Sequence, residues 1–421
     1  MLAIDNSLFI KSHVPIFTPM KLPAPSFNLT LENIHHTIWN QIEMLQEEGD
    51  CAKKKILHCE PLNNFAGFGS MLHRYGACIQ VSFALGRMFF IHQNEYKHFG
   101  GLTEWLRPES RKCGYLKDKY LSYSSKCSLN DPKCYLPNGY DINNTYKVVT
   151  YSPQPGFPMP RNIPGTIPPQ VEEMLLKLSV SDPSFWFASQ FLGYLLLRPN
   201  SKFQEKILAM STRLNISYPY AAMHIRHGDK LIWEAKYINE KKFIERANDF
   251  FDKLSSNVTD RKIYVASDDK AIEEKLGKYS SPRENILMLP LAYREKGFFS
   301  YFQKNFPKEV LETFLMDLHF LVYSNFTVCT WSSNIGRLVN ILKHDIPPYT
   351  ARNKVVSMDV TESSYEFYAF GYSNKTKNDF LVSINQHRVL NDSIKYNVGQ
   401  LFRKSDKKCQ GDLLLRVFIV I

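Results

Sequence analysis

The run His224-Ile225-Arg226-His227-Gly228-Asp229-Lys230 follows directly on the apolar stretch Ala221–Met223. Arginine meets a phosphate as a two-pronged fork and lysine as a point charge, so Arg226 and Lys230 at a strand end form a pair suited to gripping one. Asp229 between them is placed to orient Arg226. A surface ion-pair cluster has the same composition; the strand-end position is what favours the phosphate. Glu234, just beyond Lys230, reads either as a general base for a hydroxyl nucleophile or as a solvated charge. Asp268-Asp269 fits a two-carboxylate metal site or a helix N-cap. Ser332-Ser333, ahead of a helix, supplies hydroxyl and backbone N–H donors to a phosphate or merely caps that helix. Asp317 lies inside the apolar run Phe314–Val322, and a buried carboxylate there needs a partner, such as a guanine edge or an arginine. Gly67 and Gly69 form a glycine loop between a strand and a helix. That loop lacks the third glycine of the dinucleotide fingerprint and reads as a turn or as a phosphate cradle.

These groups can act together only if the chain gathers strand ends in one place. Residues 221–225, 262–267, 285–289 and 326–330 read as strands, and 239–254, 311–322 and 332–342 as helices. Such alternation predicts a parallel sheet with its ligand at the carboxyl ends of the strands. The clusters 226–230, 268–269 and 330–333 fall at those ends. Upstream, Leu31, Ile34, Ile38, Ile42 and Leu45 give the helical spacing of a segment over 28–46. A strand is expected over 55–60, and helices over 71–84, 171–178, 184–197 and 203–214, with Asp182-Pro183 a good helix start. Residues 124–169 read as loop, with proline-rich 152–169 the clearest linker. Residues 1–26 form an irregular leader. Beyond Asp359 the pattern changes to short strands at 365–371 and 380–384, and 413–421 is strongly apolar.

With 421 residues the chain is too long for one core. The net charge is +11, but the cations are scattered with no run long enough for a nucleic-acid arm, so no nucleic-acid partner is expected. Eight cysteines are present. Cys51, Cys59, Cys78, Cys113, Cys127 and Cys134 cluster in one region without CxxC or zinc spacing, which suits structural disulfides of the secretory pathway. N-x-S/T triplets begin at Asn28, Asn143, Asn215, Asn257, Asn325, Asn374 and Asn391; Asn325, in an apolar stretch, is expected to be buried and unmodified. No stretch of about 20 apolar residues reads as a membrane span, and residues 1–17 lack a signal pattern.

In order along the chain, several blocks resemble the α1,6-fucosyltransferase family of N-glycan core fucosylation. His224-Ile-Arg-His-Gly-Asp-Lys230 is similar to that family's donor motif His-Val-Arg-Arg-Thr-Asp-Lys. Lys262-Ile-Tyr-Val-Ala-Ser-Asp-Asp269, Met316-Asp-Leu-His-Phe-Leu and Val328-Cys-Thr-Trp-Ser-Ser-Asn-Ile-Gly-Arg337 resemble further blocks. Asp182-Pro-Ser-Phe-Trp, Gln190, Tyr194-Leu, Arg198-Pro199 and the stretch from Phe99 to Cys113 match upstream.

The resemblance implies a GT-B-like α/β fold: 27–218 a stem-end helix and open α/β domain, 219–358 a Rossmann-type GDP-fucose-binding catalytic domain, and 359–421 a degenerate SH3-like region. It implies metal-independent, inverting transfer of L-fucose from GDP-β-L-fucose to the 6-hydroxyl of the innermost GlcNAc of N-glycans. The partners would be a GlcNAc-terminated glycoprotein and a homodimer mate. The compartment would be the Golgi lumen, normally reached through an N-terminal membrane anchor that this chain does not carry. Carried over residue by residue, Arg226 binds the β-phosphate, His224 and Asp317 the guanine, and Ser333 with the Gly67–Gly69 loop the diphosphate. Glu234 with Lys230 activates the acceptor hydroxyl. Asp268 and Asp269 are supporting or acceptor-facing carboxylates rather than metal ligands. The second arginine of the donor motif is His227 here, which gives a weaker phosphate clamp when neutral. Implied disulfides are Cys51–Cys113 and Cys59–Cys78. A third family disulfide has Ala66 and Ser70 at its positions, and the family partner of Cys329 is Gly336. Cys127–Cys134 is a local pairing option, and Cys409 has no assigned partner.

Overall fold

The computed structural model describes residues 29–59, 68–91, 102–107, 110–114, 126–128, 146–151, 167–227, 237–254, 258–269, 271–290, 308–350 and 354–359. The expected leader, Gly67, Lys230, Glu234, Cys134, Cys409 and everything after Asp359 lie outside them.

The described strands sort into two parallel sheets. The first holds β1 (Ile56–Cys59), β2 (Met88–Ile91), β3 (Lys126–Ser128) and β4 (Val148–Tyr151), in the order β2-β1-β4-β3. The second holds β5 (Ala221–Ile225), β6 (Arg261–Ser267), β7 (Glu284–Leu287), β8 (Phe326–Cys329) and β9 (Val355–Ser357), in the order β7-β6-β5-β8-β9. Counted within itself that order is 3-2-1-4-5, the doubly wound arrangement, and it reverses between β5 and β8. The α/β class and the Rossmann-type second sheet are therefore as expected.

The helices are α1 (Leu31–Glu47), α2 (Phe68–Ala84), α3 (Pro169–Lys177), α4 (Pro183–Leu196), α5 (Ser201–Arg213), α6 (Glu240–Leu254), α7 (Ile272–Gly277), α8 (Lys308–Tyr323) and α9 (Asn334–Leu342). Their starts follow local chemistry. Thr30, Asp182 and Asn200 accept from the backbone N–H three residues on, at 3.1, 2.9 and 2.9 Å, and Pro183 sits at the first helical position of α4 where no N–H is needed.

β5 is buried at every residue because both faces are covered, which is why it reads as an unbroken apolar run. Alternate side chains part company. Ala221, Met223 and Ile225 pack with Phe243, Ala247 and Phe251 of α6, whereas Ala222, with Tyr264 and Ala266 of β6, joins a larger core. That larger core runs through α1, α2, α4, α8 and α9 to the first sheet without a break near residue 219. Trp186 of α4 donates its indole N–H to the Tyr349 carbonyl at 2.9 Å across it.

Two expectations need correction. Residues 124–169 are not all loop: β3 and β4 lie within them. The short Val148-Val-Thr-Tyr run is easily lost among polar neighbours, and it is anchored by Arg87, which is wholly buried. Arg87 donates to the carbonyls of Ile56, Lys147 and Tyr146, stapling the starts of β1 and β4, and burial lowers its pKa to about 10. Asn325 is exposed rather than buried, because it sits in the turn entering β8, where its Oδ1 accepts from the Tyr220 N–H at 3.1 Å. The disulfides Cys51–Cys113 and Cys59–Cys78 both form, and the second pins the end of β1 to α2. Cys329 is a buried free thiol beside Gly336, and burial pushes its pKa far up, so it is inert.

Candidate functional site at the carboxyl ends of the second sheet

Register brings the first site residues together. Ile225 pairs with Ser267, so the next residues, Arg226 and Asp268, leave the sheet side by side. Arg226 Nη1 donates to Asp268 Oδ2 at 2.5 Å, and the backbone N–H of His227 donates to Asp268 Oδ1 at 2.8 Å. Asp268 thus holds Arg226 in place; Asp229, expected in an orienting role, lies outside the described residues.

His227 has partners other than the expected phosphate clamp. Its ring is 7 % exposed and lies against Tyr237, with ring centroids 4.9 Å apart. Nδ1 faces Asp269 Oδ2 at 3.1 Å and Glu240 Oε1 at 3.6 Å, and Nε2 faces the Ile238 carbonyl at 3.3 Å. Lys275 of α7 donates to Asp269 Oδ2 at 2.5 Å and lies 3.9 Å from Glu240 Oε1. Burial alone would raise the Asp269 pKa, but bonds from Lys275, the Ala271 N–H and His227 outweigh it and hold the carboxyl low. The Asp269 bond in turn holds the Lys275 ammonium above its ordinary range. Ligand atoms of His227, Glu240 and Asp269 all lie within 4.8 Å of one another, the chemistry of a metal donor set. The Lys275 ammonium stands among them, and together these residues form an ion-pair network.

Two helix N-termini meet at the same end of the sheet. α9 starts at Ser333, a buried residue whose hydroxyl makes no capping bond, so the helix N-terminus keeps donors for an anion. The turn into α9 needs glycine at 336, where a Cβ would meet the Thr330 carbonyl oxygen at 2.2 Å. The first turn of α2 packs directly on it: a Cβ on Gly69 would lie 2.9 Å from Asn334 Cβ. His73 of α2 has its Nε2 at 3.2 Å from the Asn334 carbonyl; burial first, then Arg337 and Arg74, brings its pKa to about 3. On the other side of the turn the Asp359 carboxylate takes the backbone N–H groups of Trp331 (2.8 Å) and Ser332 (3.4 Å). Ser332 is therefore tied to Asp359, just beyond β9, while Asn334, next to Ser333, meets α2.

The two expected guanine residues share the α8 side of the sheet. His224 pairs with Ala266 and so shares a face with Tyr264, whose hydroxyl donates to Asp317 of α8. Tyr264 is thus one protein partner of Asp317. His224 is 4 % exposed, and its Nδ1 has no hydrogen-bond partner among the described residues. Burial and then Arg226 lower its pKa to about 3, so it is a neutral imidazole aimed into the site.

The structure brings together Arg226, His227, Asp268, Asp269, Ser332, Ser333 and Gly69, with His224 and Asp317 alongside. The positions of Lys230, Glu234 and Gly67 lie outside the described residues. Sequence reasoning missed Glu240, Lys275 and His73, which look like ordinary helix residues. Only a carboxylate and a cation in the two helices following the motif strands could have signalled the first pair.

A doubly wound parallel sheet with an arginine and a helix N-terminus at its reversal is the arrangement in which α/β proteins bind nucleotides. Residues 27–346 match the family model of alpha-(1,6)-fucosyltransferase N- and catalytic domains, and the chain belongs to that family. It is 26 % identical to an alpha-(1,6)-fucosyltransferase of Drosophila melanogaster, over 91 % of this chain and 56 % of that one. It is 25 % identical to an alpha-(1,6)-fucosyltransferase of Caenorhabditis elegans, over 72 % of this chain and 52 % of that one. The chain thus spans about half the length of these relatives. Among solved structures, fucosyltransferase NodZ from Bradyrhizobium aligns with TM-score 0.41 and 12 % identity, covering 69 % of this chain and 93 % of that one.

Proposed function

We propose that the chain transfers L-fucose from GDP-β-L-fucose to the 6-hydroxyl of the innermost GlcNAc of an N-glycan, with inversion and without a metal ion. The observation that carries this reading is Arg226, fixed by Asp268 at the sheet reversal beside the Ser333 end of α9. Family membership supports it further. A preorganised guanidinium and a helix N-terminus stabilise the charge that develops on departing GDP, the work a metal would otherwise do. The neutral His224 ring and Asp317 offer a donor–acceptor pair and a carboxylate to the guanine edge. In the transfer, the acceptor O6–C1 bond forms as the bond from C1 to the β-phosphate oxygen breaks. The hydroxyl proton passes to Glu234, and Lys230 stands by the leaving group. The two disulfides support a secretory location, and we assign the Golgi lumen and a glycoprotein acceptor to the same reading.

The test is GDP release from GDP-fucose with and without a GlcNAc-terminated biantennary glycopeptide, in EDTA. Release that depends on the glycopeptide and survives chelation is expected. No glycopeptide-dependent release from a protein that binds GDP would sink the transferase reading, and strict Mn²⁺ dependence would sink the metal-free mechanism.

A further inference from the structure

The His227 ring has two nitrogens and both face acceptors: a carboxylate oxygen of Asp269 at Nδ1, with Glu240 Oε1 close behind, and the Ile238 carbonyl at Nε2. A neutral imidazole has one donor and one lone pair, so it leaves one of these acceptors facing a lone pair. Only the imidazolium, which donates from both nitrogens, satisfies the cage. Charge balance agrees. Asp269 and Glu240 carry two negative charges and Lys275 one positive. Glu240 Oε1 is buried and accepts no hydrogen bond among the described residues. Its other oxygen takes the Tyr237 hydroxyl at 2.7 Å, and that bond pushes the phenol up to about 12. Among the described residues, the cage lacks a second cation unless His227 is protonated.

We infer that His227 is a positioning residue that acts as an imidazolium and makes donor binding depend on its proton. The inference rests on the GDP-fucose reading above. The link to the donor runs through the backbone: the His227 N–H holds Asp268 Oδ1 while Arg226 holds Oδ2, so the cage and the phosphate-binding arginine share one carboxylate. The titratable and charged groups around the ring are Asp269 and Lys275 from the β6–α7 side, Glu240 and Tyr237 from the α6 side, and Arg226 and Asp268 at the strand ends. With the ring protonated, the cage is closed and the end of β5 carries one more positive charge towards a diphosphate. As pH rises and the proton leaves, the cage holds an unbalanced negative charge beside the donor and the Asp268 strap loosens. The family motif has arginine at this position, which would keep the cage charged at every pH. The histidine makes the same clamp titratable in this chain.

The experiment measures GDP binding by calorimetry for the whole chain and for His227→Gln and His227→Arg, from about pH 5.5 to 8.5, the range in which imidazole titrates. GDP itself titrates there, and the glutamine variant, whose residue 227 cannot, supplies that baseline. Expected is a fall in wild-type affinity with rising pH, about tenfold steeper than in His227→Gln, while His227→Arg follows the glutamine slope with tighter binding at the alkaline end. A second measurement needs no variant: wild-type titrations in buffers of different ionisation enthalpy should show net proton uptake near neutral pH, whereas anion neutralisation of GDP alone releases protons. Equal pH profiles in the three proteins, or proton release on wild-type binding, would overturn the inference while leaving the donor reading standing. Absence of GDP binding at every pH would overturn both.

Discussion

Among the described residues, two histidine–carboxylate clusters differ in the donors that serve their carboxylates. In the large core, His35 of α1 donates Nδ1–H to Gln190 Oε1 at 2.7 Å and lies 3.8 Å from Asp345 Oδ1, under the rings of Trp39 and Tyr349. Both Asp345 oxygens are buried without a hydrogen-bond partner among the described residues. Burial pushes Asp345 well above the carboxylate range and lowers His35 to about 4, so the pair is a neutral acid beside a neutral ring. At the sheet ends, His227 meets Asp269, whose carboxyl stays low against burial because Lys275, the Ala271 N–H and His227 serve it. The residue types are the same. The difference is the supply of donors, which decides whether burial neutralises a carboxylate or the surroundings hold its charge.

The sharpest break is at Arg226. Arg226→Ala removes a charge-assisted contact to phosphate worth about 1.5–3 kcal/mol, and GDP affinity measured by calorimetry should fall about 10–100-fold. The matched pair Asp268→Asn and Asp345→Asn then tests the comparison directly. Asp268→Asn should weaken GDP binding about tenfold, because the arginine loses its ionic strap. Asp345→Asn should leave GDP binding unchanged and raise Tm at pH 7 by about 2 °C. The sign follows from linkage: the folded pKa of Asp345 lies above its unfolded value, so its stabilising effect is complete at low pH and lost as pH rises. The gain from asparagine should therefore shrink towards pH 4, which thermal scans at both pH values would read. If the gain is the same at both, Asp345 is ionised in the core. A third test presses on the close contact at Asp345. A Cβ on Gly193 would come within 2.3 Å of Asp345 Cγ, so Gly193→Ala should cost about 1–3 kcal/mol in denaturant melts.

The last test is collective and needs no variant. Burial lowers His35, His319 and His344 to about 4, and burial with neighbouring arginines lowers His73 and His224 to about 3, against an ordinary 6.5. Unfolded chain binds these protons first, so stability should be full above pH 6.5 and decline as pH falls from there to about 4. A Tm that holds constant over that window would mean these rings are protonated in place.

The second sheet was legible in the sequence because its strands are short buried runs ending in polar residues, and register alone then brings residue 226 to 268. β3 and β4 were not, since each strand is too short to show a period against its polar surroundings. Arg226 is held by Asp268, a spatial neighbour that sequence spacing does not announce, while Asp229, the expected orienting residue, lies outside the described residues. Glu240 and Lys275 were invisible for the same reason: on a helix, a buried carboxylate and a surface one have the same letter. Asn325 misled in the other direction, since apolar neighbours in sequence turned out to flank an exposed turn.

The reversal between β5 and β8 also governs how the protein comes into being. Ala221 finds its ladder partner in Phe326, so the strand carrying Arg226 must wait for a hundred or so intervening residues before its second neighbour exists. Non-local parallel pairing of this kind is slow. A nascent chain that has emerged only as far as Leu289 would hold Arg226 and Asp268 side by side on a half-built sheet, with the α9 end of the cleft still unmade. On the proposed reading, donor binding is acquired late in synthesis, and a fragment ending before β8 should show no affinity for GDP.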